Sequence, residues 1–230
     1  MGYIVAAGCF VAFYIFWTRN MERIRCHRLV NIIASLSVYV MYLSLVYVVY
    51  SDVGFYDWNF QNTLPVANVS PFMFSIMPLT WILPKKAKRY LYLLISLLSV
   101  GMLFSAISSS LYNAVIGYKF HWHFMLDYLA HLILSAWGVY LVKSGQVRLE
   151  RRDCFISGSL IVGVALVMMI LNVIFDTAFF GLSLNGKHNI YNNVIVDSSV
   201  ISAIIYFVGL VVVLLLGYGF NRMLSKKHKN

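Results

Sequence analysis

Long uncharged runs follow one another along this chain and restrict what it can fold into. Seven can be recognised, at roughly residues 2–17, 29–50, 64–83, 90–112, 124–142, 154–175 and 194–218. Most are close to the ~20 residues that a helix needs to cross the hydrocarbon core of a bilayer. Since lipid offers no hydrogen-bond partner to the backbone, helices are the expected structure of such runs. The sequence predicts an all-α fold, a polytopic bundle of seven transmembrane helices that forms one domain over residues 1–230.

The composition supports a membrane protein without any motif. The chain is 61% hydrophobic and 11% charged, whereas a soluble domain is about half apolar and about a quarter charged. The N-terminus lacks a basic segment before its first apolar run, which indicates a retained helix and not a signal peptide. The three cysteines, Cys9, Cys26 and Cys154, show no metal-binding spacing, and we expect no disulfide.

The basic residues alternate between the two sides of the predicted bundle. Only Lys119 and Lys187 lie in the even-numbered connections. The other sixteen of the eighteen Lys and Arg residues fall in four segments: Arg19, Arg23, Arg25 and Arg28; Lys85, Lys86, Lys88 and Arg89; Lys143, Arg148, Arg151 and Arg152; Arg222, Lys226, Lys227 and Lys229. The positive-inside rule then places the N-terminus outside and the C-terminus in the cytoplasm.

This distribution also accounts for the net charge of +10 without a nucleic-acid partner. Basic loops of this kind lie against anionic headgroups, so we expect membrane lipids as partners and the cell membrane as the location.

All four prolines of the chain, Pro65, Pro71, Pro78 and Pro84, lie in the third run or directly after it. Pro71 and Pro78 would fall inside its helix, where each removes a backbone donor and crowds the carbonyl four residues back. The sequence therefore predicts kinks at these two positions. Because neighbouring helices must satisfy the freed backbone groups, a central place in the bundle is expected for this helix.

Polar residues recur at the outer ends of four predicted spans. In the fifth span His123, Asp127 and His131 are spaced by four, which puts them on one helical face, with His131 about 10 Å below the outer surface. The other spans contribute Asn68, Ser70, Asn172, Asp176 and Asp197. Polar groups at membrane depth usually face a bundle interior or a wet cavity. We therefore predict an outward-facing pocket in which Asn68, Ser70, His123, Asn172, Asp176 and Asp197 bind a lipid or small-molecule ligand.

Two chemistries and one structural role suit the histidines of this pocket. His131 could act as a general base with Asp127 fixing its tautomer. A Zn²⁺ site is a weaker interpretation because three or four ligands are needed, and we predict no metal and no cofactor. The structural alternative is that Asp127 and His131 only bond neighbouring helices. Ser70 is a possible nucleophile, but nothing in the sequence brings it to His131.

Three stretches of the chain resemble the YwaF family of integral membrane proteins, which has distant animal relatives described as transmembrane acyltransferases. They are LPVANVSPF at 64–72, HWHFMLDYLAHLILSAWGVYLV at 121–142 and NVIFDTAFFGLSLNGK at 172–187. The family often has a cysteine beside the first of these, where this chain has Pro65, Val66, Ala67 and Asn68. If the acyltransferase relatives use that cysteine as their nucleophile, this chain cannot use the same chemistry. A family Thr-Asn-Tyr near the sixth span reads Thr177, Ala178 and Phe179 here.

Three functions remain open from the sequence. The first is an intramembrane enzyme that acts on a lipid or another amphiphile through His131 and Asp127. The second is a small-solute transporter or sensor in which the third helix moves. The third is a structural membrane protein without a substrate.

Overall fold

A computed structural model describes residues 2–51, 69–115, 122–175 and 199–226. This part of the chain is all helical, with eight α-helices and one 3-10 helix. In chain order they are α1 (Gly2–Asn20), the 3-10 helix Met21–Arg23, α2 (His27–Ser51), α3 (Val69–Ser75), α4 (Leu79–Ile82), α5 (Lys85–Val115), α6 (Trp122–Lys143), α7 (Arg151–Phe175) and α8 (Ser199–Lys226).

Six of the described helices, namely α1, α2, α5, α6, α7 and α8, are long and apolar enough to cross a membrane. The prediction of an all-α, multi-pass membrane protein is therefore confirmed. The third predicted run is described only from residue 69, where it forms the short helices α3 and α4. The count of seven spans and the orientation of the termini stay predictions.

The third run breaks at Pro78, as its sequence predicts. A helical residue 78 would bond the Phe74 carbonyl, but proline has no N–H to donate. The Met77 amide donates to that carbonyl instead, at 3.4 Å, and closes a tighter turn. Pro78 then precedes the first residue of α4 with φ −58°. The kink predicted at Pro71 stays a prediction, since the carbonyl four residues before it lies outside the described residues.

Helices α5 and α6 form the centre of the bundle. In their most apolar stretches 56% and 72% of the residues are buried, against 22% to 28% in the other four long helices. Helix α6 packs against α1, α2, α5 and α8, and α5 also contacts α1, α7 and α8. The outer faces of the peripheral helices expose large apolar side chains such as Leu43, Leu160 and Leu215, as expected of surfaces that face lipid.

Two glycines let the central backbones approach closely. A Cβ added at Gly138 of α6 would lie 2.7 Å from the Ile95 carbonyl oxygen of α5. One added at Gly217 of α8 would lie 1.8 Å from the Leu97 carbonyl oxygen. Small residues at such contacts are typical of membrane bundles, where dispersion and hydrogen bonding drive helix association. As a result α5, α6 and α8 form a closely packed core, and this packing fixes the position of α6.

Candidate functional site

A serine and a histidine from different helices meet inside the bundle. Ser70 lies in α3 and His131 in α6, 61 residues apart in sequence, and Ser70 Oγ is 2.8 Å from His131 Nε2. His131 is buried, with 4% of its surface exposed, and Ser70 is partly buried. This is the contact that the sequence could not predict, because α3 reaches α6 only through the tertiary fold.

The backbone fixes the tautomer of the histidine. His131 Nδ1 lies 2.8 Å from the carbonyl oxygen of Asp127, one turn earlier in α6. A carbonyl oxygen only accepts hydrogen bonds, so Nδ1 carries the proton and donates it. In the neutral imidazole Nε2 is then an acceptor, and the Ser70 hydroxyl donates to it. This is the arrangement that a general base needs in order to remove a hydroxyl proton.

The Asp127 carboxylate lies on the far side of the ring from Ser70. Its Oδ1 is 3.4 Å from His131 Nδ1, longer than the bond to the carbonyl of the same residue. The Asp127 side chain is about a third exposed (32%). At this position a carboxylate would stabilise the positive charge that forms on His131 when Nε2 takes up a proton. The predicted shared face of Asp127 and His131 is confirmed.

The walls of the site are apolar and polarisable. Phe74, one turn after Ser70 in α3, meets the His131 ring edge to face at a centroid distance of 5.0 Å. Met102 of α5 places its Sδ 3.7 Å from Ser70 Oγ. Neither residue was expected at the site from the sequence, although the spacing of four between Ser70 and Phe74 is a detectable signal. Both side chains place apolar surface against the Ser70–His131 pair.

The remaining predicted site residues divide into two groups. Asn68, Asp176 and Asp197 lie outside the described residues, as does the side chain of His123. Asn172 lies in α7 and is buried, with 1% exposed. The shared pocket of four spans therefore stays a prediction. Within the described ranges no group of three or more His, Cys, Asp and Glu side chains could hold a metal ion.

A second polar region lies at the C-terminal end of α8. The Asn221 amide nitrogen is 2.8 Å from the Ser96 carbonyl oxygen, 2.9 Å from that of Gly217 and 3.1 Å from Ser99 Oγ. Ser96 Oγ in turn donates to the Gly138 carbonyl at 2.9 Å. These bonds join α8, α5 and α6. These bonds were not expected from the sequence, because Asn221 follows the last predicted run and the serines resemble ordinary small residues.

A third set of bonds joins α2 to α6 and the connection after it. The Trp137 indole N–H donates to Asn31 Oδ1 at 2.9 Å, and Asn31 Nδ2 donates to Gln146 Oε1 at 2.6 Å. The Tyr140 hydroxyl and His27 Nδ1 are hydrogen-bonded at 2.7 Å. An asparagine in an uncharged run is a signal for such a contact, but its partner depends on the packing.

The molecule is thus a multi-pass helical membrane protein with a hydrogen-bonded serine–histidine pair inside its bundle. The TMEM164 family profile matches residues 1–220. The chain belongs to the TMEM164 family, and the expectation of a membrane-protein family is confirmed. Searches of curated proteins and of solved structures gave no significant match.

Proposed function

We propose that this protein is an intramembrane enzyme that transfers or hydrolyses the acyl group of a lipid, with Ser70 as nucleophile and His131 as general base. The observation that carries the proposal is the 2.8 Å contact between Ser70 Oγ and His131 Nε2. A serine hydroxyl becomes a useful nucleophile when a base at hydrogen-bond distance can take its proton. The 3.4 Å approach of Asp127 to the other ring nitrogen supplies the third member of such a set.

The steps follow from these three groups. Ser70 Oγ attacks the acyl carbonyl carbon while its proton passes to His131 Nε2, and Asp127 offsets the charge of the imidazolium. The tetrahedral adduct collapses, the bond to the lipid alkoxide breaks, and the alkoxide takes the proton from His131. The acyl group is then held on Ser70 as an ester. Water or a second lipid alcohol attacks this ester, gives its proton to His131, and Ser70 regains a proton as it leaves.

The surroundings favour a lipid substrate. His131 is buried against Phe74, and Ser70 lies beside the Met102 thioether, so an acyl chain would enter an apolar site. Under the predicted orientation Asn68, Asn172, Asp176 and Asp197 lie toward the outside, where they would bind the headgroup together with His123. This arrangement is consistent with the resemblance to membrane proteins that include described acyltransferases, and with a place in the cell membrane.

The break between α3 and α4 motivates the transporter or sensor alternative, because discontinuous helices form ion and substrate sites in transporters. The backbone amides around it are bonded within the chain: Met77 to Phe74, Leu79 to Ile76, Thr80 to Met77 and Trp81 to Pro78. The Met77 carbonyl also accepts from the Thr80 hydroxyl at 2.7 Å. These hydrogen bonds occupy backbone groups that would otherwise be available to bind an ion. They therefore favour the enzyme over the transporter.

A fluorophosphonate probe tests the proposal directly, because it forms a covalent bond only with an activated serine hydroxyl. Purified protein in lipid nanodiscs is expected to be labelled on Ser70. The substitutions Ser70→Ala and His131→Gln should each abolish labelling while the protein remains folded. Ser75→Ala is the matched control, because Ser75 lies in the same helix and, among the described residues, its hydroxyl bonds the Phe72 carbonyl and not His131.

Two results would contradict the enzyme. One is the absence of labelling in folded wild-type protein, tested with probes of short and long alkyl chains. The other is labelling that His131→Gln leaves unchanged, which would mean that the histidine does not activate the serine. Either result would favour a structural role for the pair.

A further inference from the structure

A groove of about 360 Å³ opens between α1 and α2, with one face of α6 as its floor. Its volume lies in the range of ~300–1,000 Å³ typical of small-molecule sites. The lining is almost wholly apolar and includes Phe13, Trp17, Ala34, Ser37, Ala136 and Trp137. Such a groove suits a hydrocarbon chain.

The two tryptophans of the groove present apolar surface to it, because their N–H groups are already hydrogen-bonded within the protein. Trp17 Nε1 donates to the Ala136 carbonyl at 3.0 Å, and Trp137 Nε1 donates to Asn31 Oδ1 at 2.9 Å. The indole rings therefore contribute carbon surface to the groove without an unpaired donor. A polar ligand would find few partners along this wall.

Positive charge lies at one end of the groove. Ile24, in the connection between α1 and α2, belongs to the lining, and its neighbours Arg23 and Arg25 are exposed. Arg19 and Arg28 are exposed as well. Among the ion pairs of the described residues none involves these four guanidinium groups. An apolar groove with arginines at its mouth has the two features of a phospholipid site.

The groove is separate from the Ser70–His131 pair. Ala34 and Ser37 of α2 line it, whereas the intervening Ser35 accepts a hydrogen bond from Trp81 of α4 at 2.8 Å. Successive helical residues differ by roughly 100°, so α2 presents one face to the groove and another to the broken helix. On α6 the groove uses the half C-terminal to His131.

We propose that this groove binds one acyl chain of an anionic phospholipid, whose phosphate is held by Arg23 and Arg25. The lipid belongs to the leaflet on the arginine-rich side, which is the cytoplasmic leaflet under the predicted orientation. It is a second lipid site, apart from the substrate of the proposed reaction, and it does not depend on that reaction. A zwitterionic lipid carries no net negative charge to balance the arginines, so the groove is expected to bind anionic lipids more tightly.

Photo-crosslinking tests the proposal. The protein is placed in nanodiscs that contain a trace of phosphatidylglycerol or phosphatidylcholine with a diazirine in the acyl chain, and labelled peptides are mapped. Labelling of residues 13–37 is expected to be several-fold higher with phosphatidylglycerol and to saturate. Arg23→Gln combined with Arg25→Gln should reduce it to the phosphatidylcholine level. Arg151→Gln with Arg152→Gln removes the same charge from exposed positions elsewhere and should not.

Filling the groove gives a second measurement. Ala34→Phe, or Ser37→Phe if the first variant does not fold, should reduce the labelling of residues 13–37 several-fold. Ala12→Phe adds the same ring to an exposed position of α1 outside the lining and should leave it unchanged. Equal labelling by both lipids, or labelling that neither the arginine nor the filling variants reduce, would overturn the proposal and indicate ordinary boundary lipid.

Discussion

The polar regions around His131 and around Asn221 are built in opposite ways. Around His131 the contacts join α6 to α3, a seven-residue helix that ends before the helical interruption at Pro78. Around Asn221 the contacts join three continuous helices, and one amide nitrogen has three acceptors within 3.1 Å. In the first region the Ser70 hydroxyl bonds the His131 imidazole and lies beside the Met102 sulfur, and the imidazole also bonds the Asp127 carbonyl. The second uses its polar groups to hold helices together.

Under the proposed function, this difference means that the residues that stabilise the bundle are not the residues that carry out the reaction. In a membrane, interhelical hydrogen bonds and close packing replace the hydrophobic effect as the forces between helices. The Asn221 region and the glycine contacts supply both. The region of Ser70 can then include an interrupted helix, because the Asn221 bonds and the glycine contacts stabilise the core of α5, α6 and α8. Variants in the two regions should therefore affect different measurements.

The largest effect is expected for His131→Gln on turnover. The amide can still bond Ser70 but cannot accept and return a proton, so the rate of ester cleavage should fall by about 10²–10⁴-fold. Thermal unfolding in detergent should change little. His27→Gln is the control, because His27 is also bonded to a hydroxyl, that of Tyr140, but lies outside the site. A rate unchanged by His131→Gln would remove the distinction between the regions.

Gly217→Ala should give the largest loss of stability. The added methyl group would lie 1.8 Å from the Leu97 carbonyl oxygen, so α5 and α8 must separate at a cost of about 1–3 kcal/mol or more. Gly219→Ala is the control in the same helix, where a Cβ meets nothing within 4 Å. Its melting temperature should be unchanged or slightly raised. Equal stability of the two variants would show that the close contact is not present.

Asn221→Ala should destabilise the protein by about 1–2 kcal/mol, because interhelical bonds in membranes average ~0.6 kcal/mol and reach ~1.7. The activity of the folded fraction should stay unchanged. Asn20→Ala serves as the control, since the bond that the structure describes for the Asn20 side chain is to the Phe16 carbonyl of its own helix, at 2.8 Å. A loss of activity that exceeds the loss of folded protein would mean that the Asn221 region also takes part in the chemistry.

The smallest effect is expected at the ion pairs of Arg89, whose side chain is 42% exposed, with the exposed Glu150 and the largely buried Asp153. Arg89→Gln should cost about 1 kcal/mol, because the exposed guanidinium end of each pair gains little in water, and the cost should decrease as salt is added. Lys86→Gln, at an exposed neighbouring position, controls for the loss of charge. A salt-independent loss would indicate that Arg89 acts through packing and not through its charge.

Local sequence determined the helices and part of the site. The predicted runs at 29–50 and 124–142 agree closely with His27–Ser51 and Trp122–Lys143. The run predicted at 90–112 extends to Lys85–Val115, because charged residues can continue a helix beyond the hydrocarbon region. The break at Pro78 and the shared face of Asp127 and His131 were also predictable, since both depend on the covalent chain within one or two turns.

Only the tertiary structure decided which polar groups meet. Ser70 and His131 are 61 residues apart, and Asn221 and Ser96 are 125 apart. Helical periodicity shows which residues share a face, but it carries no information on which neighbour that face will contact. Those contacts depend on how α5, α6 and α8 fit against one another, and glycines such as Gly138 and Gly217 permit that fit through the absence of a side chain. The residue types of the Ser70–His131 pair can therefore be read from the sequence, whereas their pairing is a property of the packed bundle.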